Sequence, residues 1–292
     1  MYMQQIKDWV SLLRIRQYSK NGFVLAPLFF SFSFLNKALL ISAIYGFFLF
    51  SIAASAVYIF NDIFDRKEDA AHPVKCQRPI ASGSIKVSVA IIIAALLTAL
   101  SLFLSFSLHE LFGYIAAAYI FINLLYSLAL KKIVILDLMI IAIGFVLRVY
   151  AGGFLIDVLP STWLTLMTFL ISLILALGKR RDDVMMKNET AEVIHSYSDG
   201  YNIEMLNYSI VAIAGVVIVC YIQYTLSPEI INHFHNPYLY FNIIFVIAGF
   251  LRYFQALFVK KGISNPSEMI MRDRFLQVNI ILWLCSFMLF ID

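Results

Sequence analysis

Long apolar runs divided by short polar ones dominate the chain. Stretches such as Val89–Leu100 and Phe241–Leu251 are almost continuously apolar. Strands of a membrane barrel alternate apolar and polar residues, so these runs point instead to membrane-crossing helices. Such a helix needs about 20 mostly apolar residues. Nine spans are expected, near 22–36, 38–60, 85–108, 110–130, 134–156, 161–178, 203–226, 238–259 and 275–291. The first is short and contains Pro27. Residues 1–20 read as an amphipathic segment lying on the membrane, with Trp9, Val10, Leu12, Leu13 and Ile15 toward lipid. Lys7, Asp8, Arg14, Arg16 and Lys20 make that segment too polar for the apolar core of a signal peptide. The expected organisation is thus segment 1–20 followed by one all-α, nine-helix membrane domain over 21–292.

Composition agrees. Hydrophobic residues are 62% of the 292 and charged residues 14%, outside the range of soluble enzymes, disordered chains and fibrous proteins. The net charge of +4 matters less than its placement. The N-terminus and the even-numbered loops hold nearly all lysines and arginines, whereas the odd loops together hold only Lys37. By the positive-inside rule the N-terminus and even loops face the cytoplasm and the C-terminus lies outside. A multi-pass protein of a bacterial plasma membrane fits this pattern. Loops two, six and eight are long, roughly 15–25 residues, and loops of that size usually carry function. Loops two and six fall at matching places, as two four-helix units plus one extra helix would give. Cys76, Cys220 and Cys285 are too scattered for a disulfide framework or a zinc site. His72, His109, His195, His233 and His235 show no metal spacing. The basic residues follow topology rather than one groove, so no nucleic acid partner is expected. Self-association is left open.

The strongest chemical signal is Asn61-Asp62-Ile63-Phe64-Asp65-Arg66-Lys67-Glu68-Asp69. On a helix continuing out of the second span, Asp62, Asp65 and Asp69 share one face, with Asn61 one turn before Asp65. Carboxylates so placed repel one another unless a cation lies among them. Mg²⁺ suits such a site, because it takes one or two carboxylates and completes its shell with water and phosphate. The plainer alternative is a solvated acidic helix end with Arg66 and Lys67 as partners. Gln77-Arg78-Pro79-Ile80-Ala81-Ser82-Gly83 follows. An arginine before a proline and a small-residue turn can offer a guanidinium fork to phosphate, or can simply lead into the third span.

Together these two segments resemble the first conserved loop of the UbiA-type membrane prenyltransferases, and the likeness extends over essentially the whole chain. The resemblance implies nine helices, a cytoplasm-facing active-site cavity, and Mg²⁺ held against a diphosphate by Asn61, Asp62, Asp65 and Asp69. The second landmark of the family, Asp-x-x-x-Asp after the sixth span, is replaced by Gly178-Lys179-Arg180-Arg181-Asp182-Asp183. Adjacent helical residues point about 100° apart, so Asp182 and Asp183 cannot both serve one ion. Further segments are Ser19-Lys20-Asn21-Gly22, Tyr126 to Lys132, Leu136-Asp137, Gly144 to Arg148 and Arg272-Asp273-Arg274. With the basic loop, they look like the family's decaprenyl-phosphate phosphoribosyltransferase branch. That branch moves 5-phosphoribose from phosphoribosyl diphosphate to a polyprenyl phosphate. The resemblance implies catalytic roles for Asp62, Asp65 and Arg78. It implies substrate contacts for Lys20, Arg78, Tyr126, Lys131, Arg148, Lys179, Arg180, Arg181 and Asp183.

Arg148 also stands out on physical grounds. Within an apolar span its charge costs at least ~2.5–3.5 kcal/mol, so it must meet an anion from another helix or face a polar cavity. Asp137 is either part of the site or a helix-start carboxylate favoured by the dipole. Two other functions compete with phosphoribosyl transfer. One is transfer of a prenyl group from its diphosphate to an aromatic acceptor, which shares the first acidic motif. The other is transport, which would place broken helices and ionisable groups near the bilayer midplane.

Overall fold

A computed structural model describes residues 2–190, 200–234, 236, 238–259 and 273–288. His195, His235, Lys260, Lys261 and Arg272 lie outside the described residues, as do the side chains of Lys187 and His233. Among the described residues the fold is all-α. The chain forms two compact units, one holding Met1–Thr165 and the other Leu166–Ala191 and Ser198–Asp292.

The first unit begins with α1 (Tyr2–Leu12), a 3-10 helix over Ile15–Leu25, and α2 (Ala26–Phe30). Then come α3 (Lys37–Phe64), α4 (Arg66–Ala71), α5 (Val87–Leu108), α6 (Glu110–Leu128) and α7 (Leu136–Leu155). α8 (Thr162–Thr190) belongs to the second unit from Leu166 onward. The second unit continues with α9 (Ile203–Thr225), α10 (Pro228–Phe234), α11 (Ile243–Phe254) and α12 (Arg274–Met288). A 3-10 turn (Leu239–Asn242) leads into α11 and a π turn (Gln255–Val259) prolongs it.

Among the described residues seven helices are long and apolar enough to cross a membrane, and Arg274–Phe287 makes a shorter apolar one. The chain is an integral membrane protein. These helices match the expected spans from 38–60 onward. The expected first span, 22–36, differs. It is divided among the 3-10 helix, α2 and a 3-10 turn at Ser33–Leu35. Pro27 sits in the first turn of α2, where its missing N–H costs nothing. Phe32, in the left-handed region at φ 56°, then stops the helix.

Small residues on α3 let its neighbours approach. Ala53, Ala54 and Ala56 are fully buried, and Phe50, Val57, Phe112, Tyr119 and Leu155 pack beside them. The start of α3 is capped by Asn36, whose side-chain oxygen accepts from the Ala38 backbone N–H at 3.0 Å. Gly152 on α7 faces the 3-10 helix. A Cβ there would lie 1.8 Å from the Val24 carbonyl oxygen, so only glycine allows this approach. The 3-10 helix is further tied to α3 by Tyr18 Oη to Ser55 Oγ at 2.9 Å and by Asn21 Nδ2 donating to Ser51 Oγ at 3.0 Å.

In the second unit Trp283 Nε1 donates to Tyr221 Oη at 2.9 Å, and Arg252 holds Asp273 at 2.7 Å. An apolar cavity of about 240 Å³ is lined by Ile174, Phe245, Phe250, Tyr253, Leu276 and Trp283, among others.

Candidate active site

The acidic motif occupies the end of α3 and the start of α4. Only Asp65, at φ −85° and ψ 1°, interrupts the helix. Helical hydrogen bonding runs across it, Asp65 N donating to Asn61 O at 2.9 Å and Asp69 N to Asp65 O at 2.8 Å. The three aspartates therefore keep the common face that their spacing requires. All three are buried, at 2% (Asp62), 6% (Asp65) and 1% (Asp69) exposure. This rules out the solvated helix end.

Cations from three other parts of the first unit meet these carboxylates. Arg14, between α1 and the 3-10 helix, pairs with Asp62. Arg78 bridges two of them, with Nη1 at 3.1 Å from Asp62 Oδ1 and 2.6 Å from Asp69 Oδ2. Lys131, after α6, pairs with Asp65. Buried carboxylates need such partners, since an unpaired charge out of water costs several kcal/mol. Burial pushes the Asp69 carboxyl above its ordinary range, against the pull of Arg78. Its Oδ1 is buried and accepts no hydrogen bond among the described residues.

The donor set suits a hard cation: every group is an oxygen ligand, and Asp69 Oδ1 lacks a partner among the described residues. Among the described residues no three acidic, histidine or cysteine side chains converge as a ready-made cage. Asn61 is committed elsewhere. Its Nδ2 donates to Asp65 Oδ2 at 3.1 Å and its Oδ1 accepts from Ser127 Oγ at 3.1 Å. It orders Asp65 here.

Arg148, 4% exposed, meets no anion among the described residues. Nε donates to Asn21 Oδ1 at 2.8 Å, Nη1 to Gly144 O at 2.7 Å, and Nη2 to Tyr119 Oη at 2.9 Å. The rings of Tyr119, Phe145 and Phe50 lie 4.7, 5.1 and 5.5 Å from its guanidinium carbon. Lys20, one residue before Asn21, is partly buried, and its ammonium has no bonded partner among the described residues. Burial pushes its pKa down to about 8, and the charges of Arg148 and Arg14 act the same way. Tyr126 is half-buried near the end of α6, and Asp137 is buried at the start of α7.

Lys179, Arg180, Arg181 and Asp183 lie on α8, in the second unit. Lys179 is exposed, while Arg180 and Arg181 are buried. Arg180 Nη1 is 3.6 Å from Asp183 Oδ2, and Arg181 Nη1 is 4.0 Å from Asp182 Oδ1. Arg181 Nε donates to Asn207 Oδ1 on α9 at 2.7 Å. The two acids therefore have separate partners, as their 100° divergence requires.

Sequence reasoning missed Arg14 as a site residue, along with Asn21, Tyr119 and Ser127. Arg14 looked like one more cytoplasmic anchor. Its role depends on a left-handed backbone at φ 50° that turns the chain between two helices, and no glycine or asparagine marks that turn.

The UbiA prenyltransferase family model matches residues 22–276. A decaprenyl-phosphate phosphoribosyltransferase of Mycolicibacterium smegmatis is 32% identical over 96% of this chain and 91% of its own. One from Mycobacterium tuberculosis is 28% identical over 95% of this chain and 92% of its own. A UbiA homologue from Archaeoglobus fulgidus, solved bound to GPP and Mg²⁺, has the same fold, with a TM-score of 0.71 at 17% identity. That match covers 97% of this chain and 99% of the other.

Proposed function

The chain belongs to the UbiA prenyltransferase family, and from that footing we propose that it transfers 5-phosphoribose from phosphoribosyl diphosphate to a polyprenyl phosphate. Similarity along nearly the whole length to named phosphoribosyltransferases carries the reading. The clasp of carboxylates and cations at the end of α3 supports it.

Asp62 and Asp69 would hold Mg²⁺, with Asp65 beside them. Bound there, the ion supplies positive charge to the diphosphate as it leaves. Arg78 is shared between two carboxylates. Its planar fork can turn from them to phosphate oxygens when the donor arrives. Lys131 holds Asp65 and keeps the α3–α4 junction in register for the donor. Positive groups fixed beforehand stabilise developing negative charge without reorganising during the reaction. The C1–O bond breaks with both electrons passing to the diphosphate. An oxygen of the lipid phosphate forms the new bond to C1 from the opposite face. That phosphate is already ionised near pH 7, so no general base is required. Displacement inverts C1 and yields a β-linked 5-phosphoribosyl lipid, a precursor for cell-envelope glycan. The placement of basic loops supports a reaction at the cytoplasmic face of a bacterial plasma membrane.

The test uses membranes containing the protein, labelled phosphoribosyl diphosphate, polyprenyl phosphates of several lengths, and Mg²⁺. Label is expected in the organic phase, and Asp62→Ala or EDTA should abolish it. Absence of transfer by folded protein, with label moving instead from a prenyl diphosphate to an aromatic acceptor, would replace this reading with the prenyl-transfer one.

A further inference from the structure

We propose that His72 is a positioning residue, which shapes the turn that presents Arg78 to the diphosphate of the donor. That Arg78 serves a diphosphate rests on the transfer reading above. His72 closes α4 with extended backbone at φ −88° and ψ 134°, the conformation that a following proline favours. Pro73 has no N–H, so Val74 and Lys75 carry the first backbone donors beyond it. Both turn back onto the imidazole. Val74 N donates to His72 Nδ1 at 3.1 Å and Lys75 N at 3.3 Å. Asparagine makes the same contact when its δ oxygen takes N–H groups two and three residues on. The 3-10 turn Lys75–Gln77 follows directly. An accepting Nδ1 carries no proton, which puts the ring's proton on Nε2.

This turn ends at Arg78, and a ring of bonds closes on the clasp. His72 N donates to Asp69 O at 3.2 Å, Lys75 N to His72 Nδ1, and Arg78 N to Lys75 O at 2.9 Å. Arg78 Nη1 then returns to Asp69 Oδ2 at 2.6 Å. Each link spans three residues until the ion pair shuts the ring. Apart from that ion pair, the imidazole is the one side-chain link in it. His72 is 6% exposed, packed into the turn it organises. Beyond Arg78 the backbone is held as well, with Ser82 N donating to Arg78 O at 2.8 Å and Ile85 N to Pro79 O at 3.0 Å. The Arg78 side chain, by contrast, is 25% exposed. The root of the arginine is thus fixed while its tip can swing from carboxylate to phosphate. Fixing the root beforehand spares the ordering that binding would otherwise have to supply. An apolar side chain at position 72 would leave the Val74 and Lys75 donors without this acceptor and loosen the backbone that carries Arg78.

The test measures binding of inorganic diphosphate with Mg²⁺ to purified full-length protein in detergent, alongside thermal melting. His72→Leu should weaken binding ~3–10-fold, and Arg78→Ala ~10–100-fold. Because His72 acts through Arg78, the double variant should bind no more weakly than Arg78→Ala alone. His72→Asn, whose δ oxygen can take the place of Nδ1, should stay within about twofold of the wild type. Where His72→Leu does not melt cooperatively, His72→Gln replaces it, with the same loss expected because its amide lies one carbon too far out. Unchanged affinity in a normally melting His72→Leu protein overturns the role. So does a loss that adds in full to that of Arg78→Ala, or a His72→Asn protein as weak as His72→Leu. A wild type that binds no diphosphate overturns it too. The expected pattern in a protein that transfers no phosphoribose would refute the transfer reading alone, and transfer with diphosphate binding indifferent to His72 would refute the positioning role alone.

Discussion

The first unit holds an acidic and basic cluster at the end of α3, the second holds one about two turns before the end of α8, and the two are built differently. At the end of α3, Asp62 and Asp65 draw partners 48 and 66 positions away in sequence, Arg14 and Lys131. Within α8, Arg180 meets Asp183 within one turn, and Arg181 meets the adjacent Asp182. The short-range pairs form wherever the helix forms. The long-range clasp exists only when three separate elements have been brought home. The clasp therefore depends on tertiary assembly, whereas the ion pairs of α8 are internal to one helix, with Arg181 tied outward through Asn207.

Removing Asp62 should therefore have the largest effect. Asp62→Ala is expected to lower transfer ~10³-fold, the scale of losing a main electrostatic contributor. Asp182→Asn should cost under tenfold in the same label assay. Equal losses would break the contrast between the clusters. Next is stability. Lys131→Met leaves Asp65 buried without its cation and should destabilise by ~3–5 kcal/mol in denaturant unfolding. Asp183→Asn disturbs a 3.6 Å contact inside one helix and should cost under ~1 kcal/mol. Gly152→Ala drives a methyl group into the Val24 carbonyl, at an expected ~1–3 kcal/mol from overpacking. Its activity loss should mimic that of Lys20→Met, because the displaced segment carries Lys20.

The smallest effect is set by pH. Lys20 titrates at about 8, against 10.5 for a free lysine, because it is partly buried among cations. As pH rises from 8 to 9 the protonated fraction falls from about one half to about one tenth, and kcat/KM should fall about fivefold. Lys20→Arg should remove that alkaline limb. Stability moves the other way. Between pH 8 and 10.5 the unfolded chain holds the proton that the folded chain has released, so the Lys20 contribution to stability rises with pH. A melting temperature that tracked activity downward would contradict this assignment.

The difference between the clusters also decides what could be read from sequence. Asp62, Asp65 and Asp69 were legible because helical spacing puts them on one face, and Arg78 because a proline turn presents it. The spans from α3 onward followed from hydropathy. Pro27 marked the first apolar stretch as irregular, yet nothing in residues 22–36 foretold a 3-10 helix, since its geometry depends on Gly152 more than a hundred residues later. Arg148 was legible as a residue needing compensation. That its shell would be Asn21, Tyr119 and a backbone carbonyl was not, because those groups come together only on folding.

The notch at Gly152 also bears on how the chain is made. Residues near Val24 leave the ribosome long before α7, so the surface that grips them does not yet exist. Lacking a spanning helix of its own, this opening stretch must wait at the bilayer until α7 has been inserted. A nascent chain halted before residue 152 would keep its first helices yet present Lys20 loosely. Docking of the segment around Lys20 against α7 is thus a late event in biogenesis, although that segment precedes Gly152 by more than a hundred residues.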